Sequence, residues 1–286
     1  MTRVAVVTVS YGSSGVLDDF LASVPASSSV PLTVVVADNK PAGGDGVREV
    51  ARANGAGYLP LVANPGYGGA INAAVKCLPA AIEWILVSNP DLVLGAGSVD
   101  FLLATGDSNP SIAAVGPAIM TNHEIYPSAR SIPSLRTGIG HALFANIWLG
   151  NPWTRAYRKD SQYEAIRREA GWLSGACVLV RRSAFESLGG FDETFFMYFE
   201  DVDLGYRLGK AGFRNVYEPA AVVEHSGAHS TETVFESARM IEVHHESARR
   251  FLAKRYRGPL LWPVRFVLGV GLSIRSVVLR RRATHH

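Results

Sequence analysis

Acidic and aromatic side chains are concentrated in residues 189–213, which makes this segment the strongest candidate for chemistry in the chain. Glu200, Asp201 and Asp203 follow a run of four aromatic residues between positions 195 and 199. Carboxylates are seldom buried without a partner, so the cluster needs a cation, a hydrogen-bond donor or a proton to accept. A helix over 202–209 would place Asp203 four residues before Arg207, where the two side chains can pair. Glu200 and Asp201 would then lie at the helix N-terminus and face a cleft, where a general base is plausible.

A candidate cation site follows a predicted strand at 84–87. Pro90 fixes the turn after Asn89, so that Asp91 leaves the strand end in one direction. One carboxylate and substrate phosphates are sufficient to hold a magnesium-like ion, although a turn aspartate that caps the next helix is the alternative. His225 ends a short predicted strand at 221–224. Its imidazole is either a structural hydrogen-bond donor or a group that completes the metal site or contacts a diphosphate.

A glycine-rich turn opens the helix predicted at 70–78. Glycines let the backbone approach a ligand closely, and a helix N-terminus favours anions. The turn matches neither a Walker A sequence nor a clean GxGxxG pattern, so a plain turn is an equal alternative. Its candidate binding residues are Asn64, Gly66, Gly69 and Asn72.

Two further segments could bind a base and a sugar. Asp38 and Asn39 follow the second predicted strand, where a carboxylate could accept the N3–H of a pyrimidine, and Tyr11, next to Ser10, could stack on that base. The segment from Trp172 to Gly175 and Ala176 could present an aromatic face and a close-approach glycine to a sugar, or could be an ordinary entry into a core strand.

The predicted elements alternate between apolar strands and helices, which is typical of βαβ units and a mostly parallel sheet. Polar residues that follow such strands meet at the carboxyl edge of the sheet, where ligands bind. Residues 127–169 are less regular and are interpreted as an insertion over the sheet. Strands are predicted at 3–9, 32–37, 58–62, 84–87, 112–115, 172–180 and 221–224, and helices at 15–24, 45–54, 70–78, 99–104, 202–209 and 233–256.

Composition indicates a globular chain with a basic tail. The net charge of +3 combines an acidic body, in which residues 1–248 carry 18 Lys and Arg against 25 Asp and Glu, with a tail at 249–286 that carries 10 basic residues and no acid. Two cysteines in apolar surroundings favour a reducing compartment. The N-terminus lacks the apolar core and cleavage site of a signal peptide, which predicts a cytosolic catalytic body.

The combination of motifs resembles the inverting family 2 glycosyltransferases with the GT-A fold over roughly residues 3–230. The matching segments are VTVSY at 7–11, Asp38-Asn39, the glycine-rich turn from Asn64 to Asn72, Asn89-Pro-Asp91, Gly175-Ala176, Gly189-Gly-Phe-Asp-Glu, Phe199-Glu-Asp-Val-Asp203 and His225. Within the family the pattern is most similar to bacterial rhamnosyltransferases, including those of mycobacteria that act on polyprenyl-diphosphate-N-acetylglucosamine. The expected fold class is therefore α/β, a GT-A (Rossmann-like) mostly parallel sheet flanked by helices, with a C-terminal amphipathic helical tail.

The resemblance implies an inverting transfer of L-rhamnose from dTDP-β-L-rhamnose to a lipid-linked N-acetylglucosamine in cell-wall linker synthesis. Asp201 matches the family's catalytic base and Glu200 competes for that role, while Asp91 and His225 would hold a divalent cation, Mg or Mn. The family's DxD motif begins here with Asn89, so Asp91 is its one anionic ligand. The nucleotide sugar is expected at Ser10, Tyr11, Asp38, Asn39, Asn64, Gly66, Gly69, Asn72 and Asn89, and the acceptor at Trp172, Gly175, Ala176 and Asp203.

The domain prediction is a catalytic unit at 1–230, with a nucleotide-binding half at 1–118 and an acceptor-binding half at 119–230, followed by a basic membrane-associating region at 231–286. Arg residues interrupt the apolar tail, so an interfacial helix at the cytoplasmic face of an anionic membrane is favoured over a span, with packing on a protein partner as the alternative. A transferase that uses a UDP-sugar (galactofuranose or N-acetylglucosamine) and a non-catalytic sugar-binding module remain open, as does a homo-oligomer. The acidic body and the bulky aliphatic tail argue against a nucleic-acid partner.

Overall fold

The computed structural model describes residues 2–42, 46–134, 166–225, 234–258, 261–263, 266 and 270. Most of the predicted insertion and most of the tail beyond 258 lie outside these residues. The strands are β1 (Val4–Ser10), β2 (Leu32–Asp38), β3 (Gly57–Pro60), β4 (Trp84–Ser88), β5 (Leu92–Leu94), β6 (Ile112–Thr121), β7 (Glu124–Tyr126), β8 (Ala129–Arg130), β9 (Arg168–Ala170), β10 (Trp172–Leu173), β11 (Cys177–Arg181) and β12 (Arg214–His225). The helices are α1 (Ser14–Ser23), α2 (Val47–Ala53), α3 (Gly66–Lys76), α4 (Ser98–Asp107), α5 (Arg182–Ser187), α6 (Glu200–Lys210) and α7 (Val234–Arg255), with a short 3-10 turn at Pro25–Ser27.

A ten-stranded mixed sheet forms the centre of the described residues. Its main path runs β3-β2-β1-β4-β11-β6-β12-β5, with β7 paired to β6 and β9 paired to β12. The first four strands are parallel, β11 runs antiparallel to both of its neighbours, and β6 and β12 are parallel to each other. The predicted α/β architecture is confirmed. β8 and β10 form a separate two-stranded sheet.

Helices cover both faces of the sheet, because the central strands are apolar on both sides. Alternate residues of β1 enter different clusters: Ala5, Val7 and Val9 pack with α3, α5 and α6, whereas Val4 and Val6 pack with α1, α2 and α4. Strands buried on both faces read as continuous apolar runs, which is the pattern that the sequence carries. The result is a three-layer α/β/α arrangement with its polar residues at the strand ends.

Two predicted strands have different bounds in the structure. The strand predicted at 172–180 is split into β10 and β11, because Ser174 donates its N–H to Ser128 O at 2.7 Å and Gly175 turns toward Asp201. The strand predicted at 221–224 is the end of the twelve-residue β12, which pairs with β6 across a register shift between Glu218 and Val222.

Helix α7 packs against the segment that leads into α6. Phe251 is buried with Phe195 and Val202 in a third apolar cluster, and Ser247 Oγ donates to Met197 O at 2.8 Å. Within the described ranges, no helix combines the length and apolar character needed to cross a bilayer. Helix α7 therefore contributes to the packing around α6, although its residues fall in the region that the sequence assigns to membrane association.

Candidate active site

The carboxyl ends of β1, β2 and β4 bring the predicted polar residues to one edge of the sheet. Ser10 is in register with Asp38 of the neighbouring strand, and Asn39 donates its backbone N–H to Ser10 O at 2.8 Å. Asn89, directly after β4, donates its backbone N–H to Ala176 O at 2.8 Å. This edge is where parallel α/β sheets bind their ligands.

The expected base-binding corner contains a buried carboxylate beside an exposed aromatic ring. Asp38 accepts the hydroxyl of Tyr58 at 2.7 Å and the N–H of Lys40 at 2.9 Å. Burial, together with the hydrogen bond to Asp38, raises the pKa of Tyr58. The ring of Tyr11 is 57% exposed, and Lys40 Nζ lies 5.4 Å from its centre. An exposed ring next to a buried acceptor suits stacking of a base.

The glycine-rich turn is shaped by its contact with residues 191–196. Gly66 has φ +81°, and a Cβ there would collide with the backbone of Phe196. Tyr67 donates its N–H to Phe196 O at 3.0 Å, and Asn64, itself at φ 42°, accepts the N–H of Gly66 at 3.3 Å. Helix α3 therefore begins at Gly66 rather than at the predicted position 70. The close backbone approach that the glycine permits is made to the protein's own chain.

Two amides in this region are engaged in internal contacts. Asn72 is buried and bonds both backbone groups of Phe191, at 2.8 Å through Nδ2 and 2.9 Å through Oδ1, and also reaches Glu193 at 3.0 Å. Asn39 donates Nδ2 to Gly66 O at 3.1 Å. Gly69 packs against Pro65, and a Cβ on Gly69 would lie 2.8 Å from the proline side chain. These predicted nucleotide-sugar residues thus shape the wall of the cleft.

The two candidate bases lie in the first turn of α6 and differ in their hydrogen bonds. Asp201 accepts the N–H of Gly175 at 2.9 Å and the N–H of Val202 at 2.7 Å. Glu200 is only 5% exposed, and its Oε2 accepts no hydrogen bond from the described part of the chain. The helix enters through Tyr198 and Phe199, both with positive φ, at 64° and 67°. Such conformations are strained for bulky residues and cluster at functional sites.

Burial and mutual repulsion make the two carboxyls differ in how readily they hold a proton. Desolvation by burial, followed by the charge of Asp201, raises the pKa of Glu200 to about 8. Desolvation also raises the pKa of Asp201, but its backbone hydrogen bonds from Gly175 and Val202 oppose that effect. Near neutral pH, Glu200 therefore holds a proton, and the two backbone hydrogen bonds to Asp201 favour the ionised form of that carboxyl over the ionised form of Glu200.

Asp203 is completely buried and forms two ion pairs. Its oxygens lie 2.6 Å from Arg207 Nε and 2.7 Å from Lys254 Nζ. The predicted pairing with Arg207 is confirmed. Lys254 belongs to α7 and also pairs with Asp192 at 2.6 Å. Asp203 is thus suited to holding α6, α7 and the preceding loop together, which favours a positioning role over direct contact with an acceptor.

Asp91 and His225 meet because β5 and β12 are paired. His225 is in register with Leu92, which puts its Nε2 3.1 Å from Asp91 Oδ2. The contact is a hydrogen bond, and its length is also close to the separation of about 3.0 Å between neighbouring ligands of an octahedral ion with bonds of about 2.1 Å, so the pair is compatible with a divalent cation. Among the described residues, no group of three or more His, Cys, Asp or Glu side chains could hold a metal ion. An ion held by this pair would need further ligands from outside the described protein groups.

The predicted acceptor residues lie around the break between β10 and β11. Trp172 donates Nε1 to Ser131 O at 3.1 Å, and a Cβ on Gly205 would lie 2.6 Å from the tryptophan side chain. Arg130 stacks over the Trp172 ring at 5.9 Å. Gly175 and Ala176 link this segment to Asp201 and Asn89 through their backbone groups. Trp172 is therefore partly engaged in packing against α6, while the glycine turn lies directly at the candidate base.

Tyr67 is a site residue that sequence reasoning did not select. Its hydroxyl lies 2.9 Å from Asn89 Oδ1 and 2.7 Å from Gly175 O, between the candidate cation site and the candidate base. In the sequence Tyr67 lies inside the glycine-rich turn, where the glycines on either side indicate a binding loop more clearly than the tyrosine does. Its role depends on a contact that spans 108 residues, which spacing alone cannot reveal.

Comparison with a family model shows which protein family the chain belongs to. The model of the family described as "Glycosyltransferase like family 2" matches residues 2–241. The chain therefore belongs to the family 2 glycosyltransferases.

Two relatives show which members of the family the chain resembles in sequence. The chain is 43% identical to the N-acetylglucosaminyl-diphospho-decaprenol L-rhamnosyltransferase of Mycobacterium tuberculosis, over 96% of this chain and 92% of the relative. It is 29% identical to the rhamnosyltransferase WbbL of Escherichia coli K12, over 66% of this chain and 71% of that protein.

Solved structures share the fold at low sequence identity. A mannosyltransferase from Pyrobaculum calidifontis, in complex with GDP-Man and Mn²⁺, matches with a TM-score of 0.59 and 16% identity over 99% of this chain and 73% of that chain. GalNAc-T7, solved with UDP, GalNAc and Mn²⁺, matches with a TM-score of 0.55 and 14% identity over 88% of this chain and 50% of that chain. The GT-A-like fold expected from the sequence is thereby confirmed.

Proposed function

We propose that this chain transfers L-rhamnose from dTDP-β-L-rhamnose to a polyprenyl-diphosphate-linked N-acetylglucosamine, with inversion at the anomeric carbon. The observation that carries the proposal is the 43% identity, over 96% of the chain, to the mycobacterial L-rhamnosyltransferase. The site geometry is consistent with it, because a hydrogen-bonded carboxylate and a candidate cation pair lie at the edges where such a reaction needs them.

Asp201 is the general base in this proposal. It removes the proton from the acceptor hydroxyl while that oxygen forms a bond to the anomeric carbon, and the bond from that carbon to the diphosphate oxygen breaks. The electron pair leaves with the nucleoside diphosphate, so one displacement gives an α-L-rhamnoside. The backbone N–H groups of Gly175 and Val202 hold the carboxylate in one orientation. Protonated Glu200 adds no second negative charge beside it.

Asp91 and His225 would hold a divalent cation, Mg or Mn, together with the donor diphosphate. A bound cation would neutralise the negative charge that develops on the departing diphosphate. The chain's own contribution is to fix both side chains through the pairing of β5 with β12. Because Asn89 supplies no charge, we expect weak metal binding without nucleotide.

Because the proposed acceptor is linked to a lipid, the protein is proposed to bind a membrane surface. Trp262, Phe266 and Val270 are exposed and are spaced four residues apart in the sequence. Trp262 stacks on Phe266 at 5.6 Å. Together with the five arginines beyond residue 258, these exposed apolar side chains suit peripheral binding to an anionic bilayer at the cytoplasmic side of the cell membrane.

Donor selection tests the proposal. Purified wild-type protein is assayed for transfer to a short-chain polyprenyl-diphosphate-N-acetylglucosamine with dTDP-rhamnose, UDP-galactofuranose or UDP-N-acetylglucosamine, with and without Mn²⁺. We expect cation-dependent transfer from dTDP-rhamnose alone. Transfer only from a UDP-sugar would refute the donor, and binding of a donor without turnover under any condition would favour a sugar-binding module.

The base is tested with two isosteric variants. We expect Asp201→Asn to lower turnover by about 10²–10⁴, while Glu200→Gln keeps turnover within about tenfold of the wild type because glutamine resembles the protonated acid. An active Asp201→Asn protein together with an inactive Glu200→Gln protein would reverse the assignment.

A further inference from the structure

One hydroxyl connects the donor side of the cleft to the candidate base. The Tyr67 oxygen lies 2.7 Å from Gly175 O and 2.9 Å from Asn89 Oδ1. The backbone of Tyr67 is itself fixed, since its N–H donates to Phe196 O at 3.0 Å. Gly175 in turn donates its N–H to Asp201 at 2.9 Å.

A single proton cannot serve both of these oxygens. Carbonyl oxygens only accept hydrogen bonds, and a tyrosine hydroxyl has one proton to donate. The backbone carbonyl of Gly175 cannot change its chemistry, but the Asn89 amide can rotate by 180° and present its NH₂ group instead. Tyr67 then donates to Gly175 O and accepts from Asn89 Nδ2, so that neither contact is left without a proton. Half-buried polar groups that would otherwise face each other as two acceptors destabilise the fold.

The proton stays on Tyr67 in this arrangement. Burial, followed by the negative charges of Glu200 and Asp201, raises the pKa of the hydroxyl well above its usual value. The tyrosine is therefore a permanent donor to Gly175 and a permanent acceptor for the neighbouring amide.

We propose that Tyr67 is a positioning residue that holds the Asn89 amide with its NH₂ toward the tyrosine and its oxygen toward the donor side of the cleft. Through Gly175 the same hydroxyl supports the orientation of Asp201. The inference rests on the proposed function, from which Asn89 and Asp201 take their roles. It also explains why position 89 carries an amide: a carboxylate there would compete with Gly175 O for the single hydroxyl proton, and one of the two contacts would be left without a proton.

A double-mutant cycle in thermal stability tests the proton arrangement without any turnover. The four proteins are wild type, Asn89→Asp, Tyr67→Phe and the double variant. We expect Asn89→Asp to lower the melting temperature, and Tyr67→Phe to reduce that penalty by about 2 °C or more. Repulsion between the new carboxylate and neighbouring acids is common to both backgrounds and cancels in the cycle.

The opposite sign would overturn the proposal. If Tyr67 gave its proton to residue 89, a carboxylate would accept it more strongly than an amide, and Tyr67→Phe would worsen the Asn89→Asp penalty. No coupling would also overturn it. Tyr58→Phe is the matched control, because it removes a hydroxyl on β3, which lies three strand positions from β4 and Asn89. We expect its effect on the melting temperature to add to that of Asn89→Asp.

A kinetic measurement separates positioning from a purely structural role. Because Gly175 then holds Asp201 less firmly and the Asn89 amide is no longer held toward the donor, we expect Tyr67→Phe to lower kcat about tenfold, to raise KM for the nucleotide sugar and to move the acid limb of the pH–rate profile upward. Loss of stability with an unchanged pH profile would refute the link to Asp201. A wild type that transfers no rhamnose would refute the proposed function instead, while the melting cycle would still decide the hydrogen-bond arrangement.

Discussion

Replacement of Glu200 by glutamine should stabilise this protein increasingly as the pH rises. The carboxyl is buried beside Asp201, and its pKa is raised from 4.5 to about 8. The folded state therefore binds a proton at neutral pH that the unfolded chain has already released. Stability that depends on this proton is present in full below pH 4.5 and is lost progressively as the pH rises toward 8. Glutamine keeps the shape of the protonated acid and removes the titration.

The size of the effect follows from linkage. Between the unfolded and folded pKa values, each pH unit reduces the free energy of unfolding of the wild type by at most about 1.4 kcal/mol. The advantage of Glu200→Gln should therefore grow by up to about 2.7 kcal/mol between pH 5.5 and 7.5. In a domain of this size that corresponds to roughly 4–6 °C in melting temperature.

Thermal and urea unfolding of both proteins across this pH range measure the difference. Glu246→Gln is the matched control: Glu246 lies on α7, and its hydrogen bond with Arg250 lowers its pKa. A lowered pKa gives stability that is already complete above the unfolded value, so the control should not change between pH 5.5 and 7.5. A pH-independent effect of Glu200→Gln, or an advantage of the wild type that grows with pH, would refute the proton on Glu200.

Three further predictions concern the ends of the site. Lys254→Met removes one of the cations paired with buried Asp203, and we expect a loss of about 3 kcal/mol in urea unfolding; unchanged stability would show that Arg207 is a sufficient partner. Asp91→Asn should weaken Mn²⁺ binding at least tenfold in titration calorimetry with the nucleoside diphosphate present, and equal affinity would place the ion elsewhere. Truncation after residue 258 should release the protein from liposomes that contain anionic lipid without lowering its melting temperature, whereas continued cosedimentation would contradict a membrane role for the tail.

The sequence predicted the parallel strands at the start of the sheet because they are continuous apolar runs, but it did not predict β5, β7, β8 or β9. β1, β2 and β4 were predicted to within about a residue at each end, and the polar residues that follow them meet at one edge as expected. The break at Ser174–Ala176 was missed because the segment reads as one apolar stretch. What ends β10 is a set of contacts from Ser128 and Asp201, which are distant in sequence.

Spacing along one element predicted local pairs and missed distant ones. The contact of Asp203 with Arg207 follows from a separation of four residues on a helix. Its contact with Lys254 spans 51 positions and depends on how α7 packs. The motifs predict Asp91 and His225 as ligands of one cation, but the distance between them depends on the register of β12 against β5.

Helix α7 places the functional boundary of the chain further along than the sequence predicts. The predicted catalytic unit ends at residue 230, where the motif resemblance ends, and the acidic body gives way to the basic tail at 248. Yet Lys254 pairs with Asp203, in the same first turn of α6 as the candidate bases, and its hydrogen bond helps to lower the pKa of Asp192 to about 2 against the effect of burial. Ser247 holds the backbone of Met197, directly before the strained entry to α6. The segment that positions the base thus includes α7, and charge composition could not show this because the same lysine counts equally as a membrane contact or as a buried ion pair.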